Sequence, residues 1–229
     1  MLATEAQKQL AARWAADQVT DGMVVGLGTG STATLAVRAL GERVRQGLRI
    51  TGVATSSSTE QLARSLGIDV IALDESKTLD VAIDGADEVD PNLNLIKGLG
   101  GALLREKLVE LTARDLTIIV DEGKLVPVLG SRSPVPVEIV PYGWRWTRSR
   151  IEAMGCRAVQ RLVNGEVFLT DGGHYILDCH FGPLADAPAL AQQLKTISGV
   201  IEHGLFLGLA TRVVIGRADG TVVIRTRKP

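Results

Sequence analysis

MVVGLGTGSTATLAVRALGERVRQ, residues 23–46, is the stretch on which the fold turns. Residues 23–27 are apolar, β-branched at Val24 and Val25, and run into glycines, which reads as a short buried strand. From Ser31 to Gln46 the apolar Leu35, Ala39 and Val44 recur with Arg and Glu between them, a helical pattern. Strand, glycine turn and helix therefore follow in order. The order repeats on both sides. Upstream, an amphipathic helix is expected over 4–19, with Thr4 and Gln7 spaced as a capping box. Downstream come a strand at 50–54, a Ser/Thr turn at 55–59, a helix to 66, strands at 70–73 and 79–83, a helix at 102–113 and a strand at 116–120. Wholly apolar strands alternating with helices bury both sheet faces, so the expected fold class is α/β, a Rossmann-like, mostly parallel sheet with helices on both faces. Ligands of such sheets bind at the carboxyl ends of the strands.

The pattern changes after Lys124, where prolines stand at 127, 134, 136 and 141. A strand at 137–140, a helix at 147–154, strands at 157–162, 167–170 and 174–177, a helix at 187–197 and a strand at 200–203 follow. Asn164-Gly165 and Asp171-Gly172-Gly173 supply the hairpin turns. That order, βα, then β-hairpins, then αβ, resembles a ferredoxin-like α+β module. Strands at 212–215 and 222–225 flank Ala218-Asp219-Gly220 and return to the sheet. The expected organisation is a large catalytic domain, 1–127 with 204–229, and an inserted smaller domain, 128–203.

Composition bounds the function. Apolar residues make up 45% and charged residues 22% of 229, ordinary globular usage, and no apolar run is long enough for a membrane helix. The N-terminus lacks the basic and apolar regions of a signal peptide. Cys156 and Cys179 are too few for a metal framework and read as thiols in a reducing cytoplasm. A net charge of −1, with only Arg225, Arg227 and Lys228 as a short basic run, gives no reason to expect nucleic acid.

Three segments carry chemistry. Gly28-Thr29-Gly30-Ser31-Thr32 sits between a strand and a helix, where glycines, helix N–H groups and hydroxyls can hold a phosphate; a tight turn with an N-capping Ser is the plainer alternative. The spacing is neither GxGxxG nor a nucleotide P-loop. Thr55-Ser56-Ser57-Ser58-Thr59 fits a sugar-hydroxyl contact and a capped helix start equally well. Asp84-Gly85-Ala86-Asp87-Glu88 ends an apolar strand in acids three residues apart, suited to paired proton-transfer roles, with a cation site or a solvated turn as alternatives. Lys97 then enters the glycines at 98, 100 and 101, and a helix opens that carries Glu106. On that helix Leu104, Leu108 and Leu111 share a face expected to pack on the sheet. Glu106, about 200° from Leu104 at 100° per residue, is expected to point away from it. Acids, a lysine and free N–H groups together suit proton transfer beside a carbonyl. His174, His180 and His203 lack metal-ligand spacing and are expected to be structural or exposed.

GLGTGSTA, TSSST, DGADEVD and KGLGGALLREK, in this order and spacing, resemble ribose-5-phosphate isomerase of the A type, and PVEIVP, LDCHF and GLF extend the resemblance over nearly the whole chain. Leu99 departs from the family pattern in the KGxGGA turn. The resemblance implies an aldose–ketose isomerase of the non-oxidative pentose phosphate pathway. It would interconvert D-ribose 5-phosphate and D-ribulose 5-phosphate through an enediolate, without metal or organic cofactor. It implies Glu106 as the base, Asp84 and Asp87 for ring opening and hydroxyl protons, and Lys97 with the N–H groups of Gly98, Leu99 and Gly100 at the oxyanion. Thr29, Gly30, Ser31 and Thr32, with Gly85, Ala86 and Lys124, would contact the substrate. A cytoplasmic homodimer or homotetramer is implied, with a small sugar phosphate as partner and neither nucleic acid nor membrane. A sugar-phosphate sensor would tolerate loss of Glu106 but would need a DNA-binding module. An acyl or CoA transferase would use a glutamate as nucleophile but would need room for an acyl donor.

Overall fold

Short, largely apolar strands run side by side in the computed structural model, which describes residues 1–75 and 78–227. Lys228 of the basic run lies outside the described residues. In chain order the elements are α1 (Thr4–Asp17), β1 (Val24–Leu27), α2 (Ser31–Arg45), β2 (Thr51–Ala54), α3 (Ser57–Ser65), β3 (Asp69–Val70), β4 (Leu79–Asp84), β5 (Glu88–Val89), β6 (Leu95–Ile96) and α4 (Leu103–Thr112). They continue with β7 (Ala113–Asp121), β8 (Val135–Ile139), α5 (Trp144–Glu152), β9 (Arg157–Gln160), β10 (Leu162–Val163), β11 (Glu166–Val167), β12 (Tyr175–His180), α6 (Ala187–Lys195), β13 (Val200–His203), β14 (Leu205–Phe206), β15 (Arg212–Gly216) and β16 (Val222–Thr226). Tight 3-10 turns lie at Leu73–Glu75 and Glu122–Lys124.

Two compact units result. The first comprises Met1–Ala86, Arg105–Lys124 and the chain from Leu209 onward; the second comprises Asp87–Leu104 and Leu125–Gly208. In the first, seven strands lie in the order β16-β15-β7-β4-β1-β2-β3, parallel except for the edge hairpin β15–β16. From β1 the chain builds through β2 and β3 to one side; from β4 it builds through β7 and β15 to the other. Beyond the carboxyl ends of β1 and β4 lies the switch point where such sheets bind ligands. Val25, Leu27, Ile83, Ile119 and Val214 of the sheet pack with the alanine face of α1 and with Val37 and Leu40 of α2. In the second unit an antiparallel sheet in the order β13-β8-β12-β9, with α5 and α6, gives the ferredoxin-like arrangement. Val137, Ile139, Leu177 and Cys179 form its core with Ile151 and Leu194 of the helices. Asn164 and Gly165 join β10 to β11 with φ of 53° and 85°, the two positive values that a type I′ turn requires.

Four expectations need correction. Thr4 does not cap α1: Ala3 is the N-cap with no side-chain bond, and Gln7, buried, donates Nε2–H to Leu2 O at 3.1 Å. The strand expected at 70–73 is two residues long, because the chain tightens into the turn at Leu73–Glu75. The strand expected at 167–170 ends at Val167, since Thr170 turns the chain toward His174. On α4 the expected sides are exchanged. Leu108 and Leu111 are 48% and 59% exposed, whereas Leu103, Glu106, Lys107 and Glu110, a second set at helical spacing, are buried. The helix turns its charged side inward. Three small elements, β5, β6 and β14, had no signal in the sequence; they pair in the order β14-β6-β5.

Gly216 shows how closely α1 rides on β15. A Cβ built there would lie 1.9 Å from the carbonyl oxygen of Gln7, which is backbone and cannot swing aside. Gly216→Ala is expected to lower unfolding stability by about 3 kcal/mol, read from the denaturation midpoint.

Candidate active site

Residues of the first unit gather where β1 and β4 end. Gly28 N–H donates to Ile83 O at 3.0 Å, and a Cβ on Gly28 would stand 2.2 Å from Asp84 Oδ1, so only glycine permits this approach. Asp84, 1% exposed, accepts at Oδ1 from Gly85 N–H at 2.6 Å and Thr29 N–H at 3.2 Å. A carboxylate placed at this strand end is thus braced by the glycine turn beside it. Gly30, at φ 113°, precedes α2 as its N-cap and offers no side chain, leaving the first N–H groups of the helix for another acceptor. Ser31 and Thr32 begin the helix. Lys8 Nζ donates to Ser31 Oγ at 3.0 Å, which sets a cation at an anion-favouring helix end. The glycines, the helix N–H groups and the hydroxyls stand together here, with a lysine that the sequence did not reveal because α1 and α2 meet only through the fold.

The Ser/Thr turn takes the plainer of its two readings. Ser56 caps α3, accepting from Thr59 N–H at 3.1 Å. Thr29 Oγ1 lies 2.7 Å from Thr55 Oγ1, 2.8 Å from Ser56 Oγ and 3.0 Å from Thr59 Oγ1, while Thr55 and Thr59 donate to the carbonyls of Leu27 and Gly28. These hydroxyls latch the cradle to the neighbouring strand end.

Glu106 stands in the first turn of α4 and is 3% exposed, a position that the helix dipole favours for a carboxylate. At the end of β7, Asp121 accepts from Gly123 N–H through Oδ1 at 3.0 Å; its Oδ2 is buried with no hydrogen-bond partner among the described residues. Asp121 ends an apolar strand as Asp84 does, a signal available in the sequence. Lys124, half-buried, closes the turn that follows.

In the second unit, Asp87 Oδ2 accepts from Leu99 N–H at 3.0 Å, tying the second acid to the glycine turn. Leu99 N–H, expected at the oxyanion, is thus engaged by Asp87. Lys97 is 2% exposed; its N–H donates to Gly204 O at 2.9 Å and its ammonium lies 5.4 Å from the centre of the Phe206 ring. Gly101 N–H closes the turn on Gly98 O at 3.0 Å. Leu99 adopts ordinary backbone angles and is 41% exposed, so its departure from the family pattern leaves the turn unstrained. Beside Asp87, buried Glu88 accepts from the N–H groups of Gly130, Arg132 and Ser133 at 2.6, 2.6 and 2.5 Å.

The histidines are structural or exposed. His203 is buried and accepts from Leu205 N–H, His180 is exposed, and His174 Nδ1 lies 2.9 Å from Glu138. No group of three or more His, Cys, Asp or Glu among the described residues is arranged to hold a metal ion, and no described helix is long and apolar enough to cross a membrane.

The model for ribose 5-phosphate isomerase A (phosphoriboisomerase A) matches residues 51–220. A ribose-5-phosphate isomerase A of Synechococcus sp. (strain JA-3-3Ab) is 55% identical over 98% of this chain and 99% of its own. Among solved structures, a D-ribose-5-phosphate isomerase in complex with phospho-erythronic acid superposes with a TM-score of 0.95 at 40% identity, covering 99% of this chain and 100% of that one. The ribose 5-phosphate isomerase of Plasmodium falciparum does so at 0.95 and 38%, covering 98% and 100%. Likeness in sequence and in structure runs along essentially the entire chain, and this chain belongs to the ribose 5-phosphate isomerase A family.

Proposed function

We propose that this chain interconverts D-ribose 5-phosphate and D-ribulose 5-phosphate, a step of the non-oxidative pentose phosphate pathway. The observation that carries the reading is the union of a phosphate cradle and a buried acid: Asp84 Oδ1 accepts from Thr29 N–H, so the two are braced on one backbone. The phosphate sits at the α2 N-terminus, on Ser31, Thr32 and the ammonium of Lys8. With the sugar chain open, the Glu106 carboxylate removes the proton from C2 of the aldose. A C1–C2 double bond forms and O1 takes up the negative charge. A proton passes from O2 to O1, and Glu106 returns its proton to C1 to give the ketose. Asp84 and Asp87 open the ring and move the hydroxyl protons. Lys97 and the N–H groups of Gly98 and Gly100 stabilise the enediolate oxygens, while Leu99 N–H stays on Asp87. Gly85, Ala86 and Lys124 complete the substrate contacts.

No metal or organic cofactor takes part in this sequence. The working form is a cytoplasmic homodimer or homotetramer, in keeping with two unpaired thiols.

Glu106→Gln is expected to lower turnover by about a thousandfold while phospho-erythronic acid, whose carboxylate is planar and charged like the enediolate, still binds. Near-normal turnover in that variant would remove Glu106 from the role of base. Lys8→Met is expected to raise KM for ribose 5-phosphate about tenfold with kcat little changed, in steady-state assays. Excess chelator should leave turnover intact; a loss restored by a divalent cation would refute the metal-free mechanism.

A further inference from the structure

Arg161 lies between β9 and β10, far in sequence from the residues assigned to the reaction. Its side chain is 10% exposed. Nε donates to Asp178 Oδ2 at 3.0 Å and Nη2 to Asp178 Oδ1, so the carboxylate of β12 holds the guanidinium by both forks. Nη1 is thereby aimed at the glycine turn, where it donates to Gly98 O at 2.8 Å and Leu99 O at 3.0 Å. Phe168 supports the same turn: its ring is 6.0 Å from the guanidinium carbon, and a Cβ on Gly101 would meet it at 2.3 Å.

The two carbonyls that Arg161 grips belong to the peptides whose N–H groups are those of Leu99 and Gly100. A cation on a peptide oxygen draws electron density from its nitrogen and makes the N–H a stronger donor. The peptide carrying Leu99 N–H is held at both ends, by Arg161 on its oxygen and by Asp87 on its N–H. We infer that Arg161, aimed by Asp178, is a positioning residue for the isomerisation: it fixes the turn through Gly98 O, with Asp87 on Leu99 N–H, and through Leu99 O it polarises Gly100 N–H, the donor left for the enediolate. It touches no substrate and acts through the backbone of residues 98–100. The inference rests on the proposed oxyanion role of that turn.

Polarised donors matter most when charge develops, so their loss falls on kcat rather than on substrate binding. Arg161→Met is expected to lower kcat about 10- to 100-fold with KM for ribose 5-phosphate within about threefold of the parent. Arg161→Lys, which returns a cation without the fork, should recover part of that loss. Asp178→Asn keeps the side-chain volume but loosens the fork, and should lower kcat in protein that still folds, at a somewhat lower thermal midpoint; it decides the matter should the methionine variant not fold. Parent-like kcat in folded Arg161→Met or in Asp178→Asn would overturn the inference, as would a loss confined to KM. Lys97→Met, measured alongside, separates the two levels. If it is inactive and the Arg161 variants are not, the role of Arg161 alone falls. If Lys97→Met keeps full turnover, the oxyanion reading of the turn falls, and the role of Arg161 with it.

Discussion

Two parallel strands approach so closely at their carboxyl ends that no side chain fits between them, and much of the first unit follows from that contact. With a hydrogen atom in place of a side chain, Gly28 lets Asp84 lie against the backbone of the turn after β1. The Asp84 carboxylate then serves as the acceptor that the loop needs, taking the N–H groups of Thr29 and Gly85. Burying a charge this far from water is costly unless hydrogen bonds surround it. Here the bonds that offset the cost also shape the glycine turn, so acid and turn hold each other in place. Thr29 extends the bracing sideways through its hydroxyl to the residues that open α3.

The second unit uses the same device. Its turn at residues 98–101 is fixed by carboxylates and one guanidinium acting on backbone groups: Asp87 on an N–H, Arg161 on two carbonyls, with Asp178 behind Arg161. Glu88 does likewise for the chain at 130–133. Charged side chains here bind loops together, whatever further part any of them takes. A buried carboxylate in this protein is therefore weak grounds for a catalytic role until the donors it accepts from are counted.

How much of this was legible in the sequence varied with the range of the interaction. The parallel sheet and the ferredoxin-like unit were legible because runs such as Val24–Leu27 and turns such as Asn164-Gly165 state their conformation locally. The positions of the glycine turn and of Asp84 were legible for the same reason, lying where strands end. Lys8 was not, because its partner Ser31 meets it only once α1 and α2 have packed. Strands of two residues, β5, β6 and β14, carry no periodicity, and β6 and β14 pair across a span longer than the whole second sheet. The side of α4 was misread for a different reason. Both of its faces repeat at helical spacing, and the leucines look like the buried one; burial of Glu106, Lys107 and Glu110 reverses the choice, and propensity carries no sign of it.

The seat of α1 also orders events during folding. Its contact with β15, so close that Gln7 lies against Gly216, joins segments roughly 200 residues apart, and closing so large a loop is slow. On the ribosome α1 emerges long before this strand and meets α2 and β7 first, so the contact at Gly216 is added to a helix already partly seated. A truncated or stalled product that ends before β15 should therefore hold α1 less firmly than the finished chain does.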